Sequence, residues 1–141
     1  MQEGQHKPLP QVAAETPYPL DAFEFVRRGL DHTVHRVHKN PEKMDEPERH
    51  VTGQQLCEGL RDFAVQQYGM LARTVLNRWH IERTEDFGRI VFAMVEGGLM
   101  HATEGDSVRD FDHVFDFGAA FDAEVPVDRV PLEESTTESD Q

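Results

Sequence analysis

A Thr three residues ahead of a Gln, with apolar residues recurring every third or fourth position behind them, fixes where a helix must start. Thr52 and Gln55 make that pattern. The Thr hydroxyl can take the amide of the third helical residue, and the Gln side chain can return to the amide of the cap. Val51 before the cap and Leu56 at the fourth helical position have the spacing of a hydrophobic staple. Leu56, Leu60, Phe63, Ala64 and Tyr68 then give the helix one apolar face. Gly69 can take the left-handed conformation that ends it.

Two more helices follow within Val51–Met100. One runs from about Met70 to Trp79, with Leu71, Val75, Leu76 and Trp79 inward; it is too short to be stable alone and must pack on its neighbours. Thr84 is the expected cap of the next, and Glu85 and Asp86 put negative charge where the helix dipole favours it. Phe87, Ile90, Val91, Met94 and Val95 form its core stripe. Phe92 and Ala93 widen that stripe, so this helix is expected to be the most buried. Gly97-Gly98 ends it.

Outside that stretch, Pro19 and Asp21 open a helix that runs to about Lys39, with Phe23, Val26, Leu30, Val34 and Val37 as its stripe. Phe25 lies off the stripe and can cover a second neighbour. Residues 1–18 contain Pro8, Pro10 and Pro17 with few large apolar residues and read as disordered. Asn40–Arg49 reads as a loop. Ser107 with Asp110 suggests one capped turn, and Leu99–Ala102 with His113–Phe117 suggests a small hairpin. The expected fold is mainly α: a compact bundle of about four helices with a small C-terminal β-hairpin, the element order of a winged helix. One helical domain would span 19–122, followed by an acidic flexible tail at 123–141.

Charge narrows the partners. The formal charge is −13, and residues 103–141 hold 12 acidic against 2 basic side chains, which is −10 of it. Nucleic acid and anionic lipid are poor partners for such a chain, because neither gains from counterion release. A winged-helix regulator is disfavoured on the same ground, since the outward Glu85, Asp86, Arg89 and Glu96 of the third helix would meet phosphates with net negative charge. No run approaches the roughly 20 apolar residues of a membrane span. A single Cys excludes an internal disulfide, and a cytoplasmic location is the default expectation.

In its wording the chain resembles a known family. The stretch RHVTGQQLCEGLRDFA, followed further on by TEDFGRIVFAMVEGGLM, is similar to an uncharacterised family of small bacterial proteins described as restricted to Verrucomicrobia and Planctomycetes. The likeness covers about Tyr18 to Phe121, with Arg49-His50-Val51-Thr52-Gly53 and Asp86-Phe87-Gly88 as its most specific words. A departure comes after Trp79, where His80 stands in place of the family's Gly; a left-handed His there would cost roughly 1 kcal/mol. The resemblance implies a bacterial cytoplasmic protein. It carries over neither an activity nor site residues.

The motifs of nucleotide binding, serine hydrolysis, zinc proteolysis and dithiol redox chemistry are absent. Cys57 has Leu56 and Glu58 as neighbours, surroundings that suit an inert buried thiol better than a nucleophile. Asp31, His35 and His38 fall within about 60° of one another on a helix of 100° per residue. That arrangement could hold Zn²⁺ or Ni²⁺ if another element supplied a fourth ligand, with His50, His80 or His101 as candidates. Arg27, Arg28 and Arg36 beside them favour a solvated, ion-paired face with no cofactor. Phe111, Phe115, Phe117 and Phe121 crowd into eleven residues, either as core or as an aromatic patch for a partner. The function expected from these features is a non-enzymatic interaction or adaptor module whose partner is a protein, a homodimer included. A small metal protein or enzyme using the His-rich helix is the alternative.

Overall fold

The Thr52 capping box forms as its spacing requires. In the computed structural model, which describes residues 7–45, 50–101 and 106–122, Thr52 Oγ1 accepts from the Gln55 amide at 3.0 Å. Gln55 Oε1 accepts from the Thr52 amide at 2.9 Å. The helix it starts, α3 (Gly53–Tyr68), follows α1 (Leu9–Ala14) and α2 (Leu20–Val37) and precedes α4 (Ala72–Arg78) and α5 (Thr84–Glu96). Short 3₁₀ turns cover Pro41–Lys43, Gly69–Leu71 and Val108–Phe111, and a π turn covers Gly118–Asp122.

The core lies between α2, α3 and α5. Phe23, Val26, Leu60, Phe87, Ile90 and Met94 are fully buried there, each contributing roughly 1.5–3 kcal/mol by leaving water. The stripe of α2 is rotated from its sequence expectation. Ala22, Val26, Gly29 and Thr33 are buried, while Leu30 and Val34 are only half-covered and Val37 is exposed. Small residues at 29 and 33 let α3 approach closely, and the close contact turns the larger residues to one side. Phe25 covers a second neighbour as anticipated, packing 5.5 Å from Phe63 and 5.6 Å from Trp79 between ring centroids.

Helix ends follow local chemistry. After α4 the amide of Ile81 donates to Leu76 O and that of His80 to Asn77 O, both at 2.9 Å. These are the paired bonds that close a helix with a left-handed residue, and His80 occupies that position at φ 68°. After α5 the Gly98 and Leu99 amides make the same pair with Val95 O and Met94 O, and Gly98 has φ 81°. The start of α4 is displaced from expectation. Met70 and Leu71 belong to the 3₁₀ turn and project into solvent, because the turn at Gly69 carries them past the core.

Three expectations are corrected. Residues 7–18 are ordered: Val12, Ala13 and Tyr18 are buried against the helices. Lys7 donates its amide to Gly97 O at 3.0 Å, and Tyr18 Oη donates to Asp86 Oδ1 at 2.5 Å, so this segment is tied to both ends of α5. Such long-range bonds outweigh the local bias of a Pro-containing stretch. The folded unit therefore begins ahead of residue 19; the tail at 123–141 lies outside the described residues.

The second correction concerns the hairpin and the winged-helix architecture. No strand occurs among the described residues: 99–100 form a bend, and 113–117 bend into the Gly118 turn. The amides that a hairpin would need are taken by α5, since His113 N donates to Glu85 Oε2 at 3.0 Å and Val114 N to Thr84 Oγ1 at 3.1 Å. Ala102 is outside the described residues. The third correction is the cap of α5. Thr84 is its first helical residue, and its buried hydroxyl donates to Phe111 O at 2.6 Å. Asp86 serves the helix start instead, accepting from the amides of Glu82 at 2.8 Å and Arg83 at 3.2 Å. The turn expected at Ser107 does form, with Ser107 Oγ accepting from Arg109 N and Asp110 Oδ2 from Ser107 N.

Candidate functional site

Among the described residues, the rotation of α2 leaves Leu30 and Val34 half-buried at the edge of the core, where a cleft begins. Leu30 and Val34 form one wall of a cleft, and Val91, Phe92 and Val95 of α5 form the facing wall. Leu56 at the staple position and Phe111 from the capped turn close the floor. Each wall has its residues one helical turn apart, so each presents a continuous ridge. The cleft encloses about 810 Å³ and is open to solvent along one side.

Polar groups gather at its mouth. His50 Nε2 lies 3.1 Å from Asp106 Oδ1, and the His50 carbonyl accepts from His38 Nε2 at 2.9 Å, which requires the proton of His38 to sit on Nε2. Asp31, Asp110 and Arg27 complete the rim. Thr52 and Ser107 also line the cleft, and both hydroxyls act as helix caps. The mouth thus combines one guanidinium, three carboxylates and the imidazoles of His50 and His101 around an apolar interior.

The residues singled out from sequence are distributed differently. Asp31 and His35 are neighbours: His35 Nδ1 is 2.9 Å from Asp31 O and 3.6 Å from Asp31 Oδ1, with both side chains exposed. His38 turns toward His50 instead, so the three are not brought to one point. Among the described residues no group of three or more His, Cys, Asp or Glu converges as a metal site would require. Of the two roles open to the clustered Phe residues, core and aromatic patch, they take the core one. Phe111, Phe117 and Phe121 are buried and Phe115 half-buried. Phe117 packs on Phe87 at 5.9 Å, and Phe111 meets Phe92 edge-on at 6.3 Å. These rings close the core over α5. Cys57 is fully buried, and desolvation, with lesser help from Glu85 and Glu58, pushes its thiol up to about 12.

A second polar cluster ties down the start of α5. Asp86 is buried and accepts from Tyr18 Oη and, at 2.7 Å, from Arg89 Nη1 as well as from the two backbone amides. Burial and then the Asp86 carboxylate push the Tyr18 phenol up to about 12. All four partners of the carboxylate come from the protein, so this cluster is an anchor for residues 7–18.

The His50–Asp106 pair is the feature that sequence reasoning missed. Its members lie on opposite sides of α3–α5 in the chain, and no local pattern joins them. No family model, curated protein or solved structure matches the chain. Among the described residues no helix is long and apolar enough to cross a membrane.

Proposed function

We propose that the protein is a non-enzymatic protein-interaction module of a bacterial cytoplasm, and that the cleft between α2 and α5 is where it engages its partner. The observation that carries this reading is the half-buried apolar lining of the cleft: Leu30, Val34, Phe92 and Val95 each keep part of their surface in solvent. Leu30 and Val34 have the spacing of core residues, yet they line an open trough. Uncovered apolar surface rimmed by polar groups is the usual mark of a docking site. The inertness of the buried Cys57 thiol supports the same reading, because a thiol held near 12 supplies no nucleophile at neutral pH. The cytoplasmic setting rests on the lone cysteine and on the family resemblance.

The test is site-specific photo-cross-linking in the native host. A photoreactive residue at position 95, inside the cleft, should give one discrete protein adduct that excess purified protein competes away. The same residue at position 66, exposed on α3, should not. Equal adduct patterns from the two positions, or none from either, would remove the basis for the reading.

A further inference from the structure

Among the described residues the trough is half-open to solvent, and that shape bears on its occupant. Small-molecule sites enclose most of their ligand's surface. An open trough between two helical ridges instead suits a chain segment that lays one apolar face down and leaves the other in water. Charge then selects the sign of that segment. Among the described residues the rim sets Asp31, Asp106 and Asp110 against Arg27, and the whole chain carries −13. A second copy would bring further negative charge to an acidic rim.

We infer that the cleft takes a basic amphipathic helix of a partner protein, its apolar face on Leu30, Val34, Phe92 and Val95 and its Lys or Arg side chains over Asp31 and Asp110. This deepens the interaction reading and rests on it. Asp31 is exposed and Asp110 partly so. Their charges therefore contribute through encounter and orientation, while the apolar ridges hold the bound state.

The experiment uses the full chain and three labelled synthetic peptides of about 18 residues. One carries Leu at helical spacing with Lys opposite, one has Glu in place of the Lys, and one scrambles the Leu/Lys sequence. The first should bind, and the other two at least about tenfold more weakly. The first should also weaken as salt is raised, since exposed charges are screened over about a Debye length. Val95→Arg should abolish binding. Asp31→Asn with Asp110→Asn should weaken it by roughly threefold to tenfold, the range of two exposed charge pairs.

Equal binding of the Lys and Glu peptides overturns the inference. So does binding to no peptide while position 95 still yields its adduct, and in that case the interaction reading stands. Absence of both peptide binding and adduct removes the two together. A chain that dimerises in solution, and becomes monomeric with Val95→Arg, shows the occupant to be a second copy and overturns the inference as well.

Discussion

Gly59 of α3 faces Thr33 of α2 with no room for a methyl group between them. A Cβ built on Gly59 would lie 2.8 Å from Thr33 Cβ and 2.9 Å from Thr33 Cγ2. Thr33 cannot turn aside without loss, because its buried hydroxyl donates to Gly29 O at 2.7 Å. This contact sets how closely the two longest helices approach. It also leaves Leu30 and Val34 at the edge of the core, where they line the cleft.

Gly59→Ala should therefore destabilise the protein. The change favours the isolated helix by about 1 kcal/mol, but overpacking of a closed contact costs about 1–3 kcal/mol. A net loss of up to about 2 kcal/mol is expected, read from the urea midpoint. Adding Thr33→Ala should make the double variant more stable than the sum of the singles predicts. A midpoint that rises with Gly59→Ala alone would contradict this packing.

His80→Gly should act in the opposite direction. His80 holds φ 68° on an exposed surface, where it completes the end of α4. A residue with a Cβ costs about 1–2 kcal/mol in that conformation. Glycine should raise stability by about 1 kcal/mol with an unchanged denaturant slope. His80→Ala, which keeps the Cβ, should give no such gain.

Thr84→Val removes a hydroxyl that both donates to Phe111 O and accepts from Val114 N while keeping the side chain's shape. Leaving the buried Phe111 carbonyl and the part-buried Val114 amide unpaired should cost about 1–3 kcal/mol. The damage should be concentrated in the segment 106–121. Hydrogen exchange should show faster amides there than in α2 and α3, and a uniform loss across the chain would speak against this assignment.

The phenol of Tyr18 predicts a limb in the alkaline stability curve. Its pKa is about 12 in the fold against 10.0 for the free group. The unfolded chain releases this proton first as pH rises. The stabilisation is thus complete below about pH 10 and is lost progressively toward pH 12. Tyr18→Phe should be less stable at neutral pH by about 1 kcal/mol, for the bond to Asp86. It should also lose stability less steeply than the parent between about pH 10 and 12. Equal slopes for parent and variant would count against the assignment.

Cys57 should be silent in the native state. A fully buried thiol with its pKa near 12 should react with an aromatic disulfide reagent at about pH 8 no faster than the protein unfolds. Reaction should become immediate in denaturant. Rapid labelling of the folded protein would place the thiol at the surface.

Much of the fold could be read from the chain because its signals are local. A capping box needs only Thr52 and Gln55, and an apolar stripe such as Phe87–Ile90–Met94 needs only its own helix. The end of α5 needs only Gly98, and the turn at Val108–Phe111 needs only Ser107 and Asp110. The left-handed turn at position 80 is suggested only by the family resemblance, in which Gly stands where this chain has His80.

What the chain alone could not decide is which neighbours its groups meet. The alternation of Phe115 and Phe117 looks like a strand until Thr84 and Glu85 take the amides a hairpin would use. Residues 7–18 look too polar to fold until Tyr18 reaches Asp86 and Lys7 reaches Gly97. The cleft depends on the same kind of meeting. Its walls exist because Gly59 seats Thr33, and its mouth because His50 pairs with Asp106. Caps and periodicities are written in consecutive residues, whereas contacts between distant residues exist only once the helices have packed.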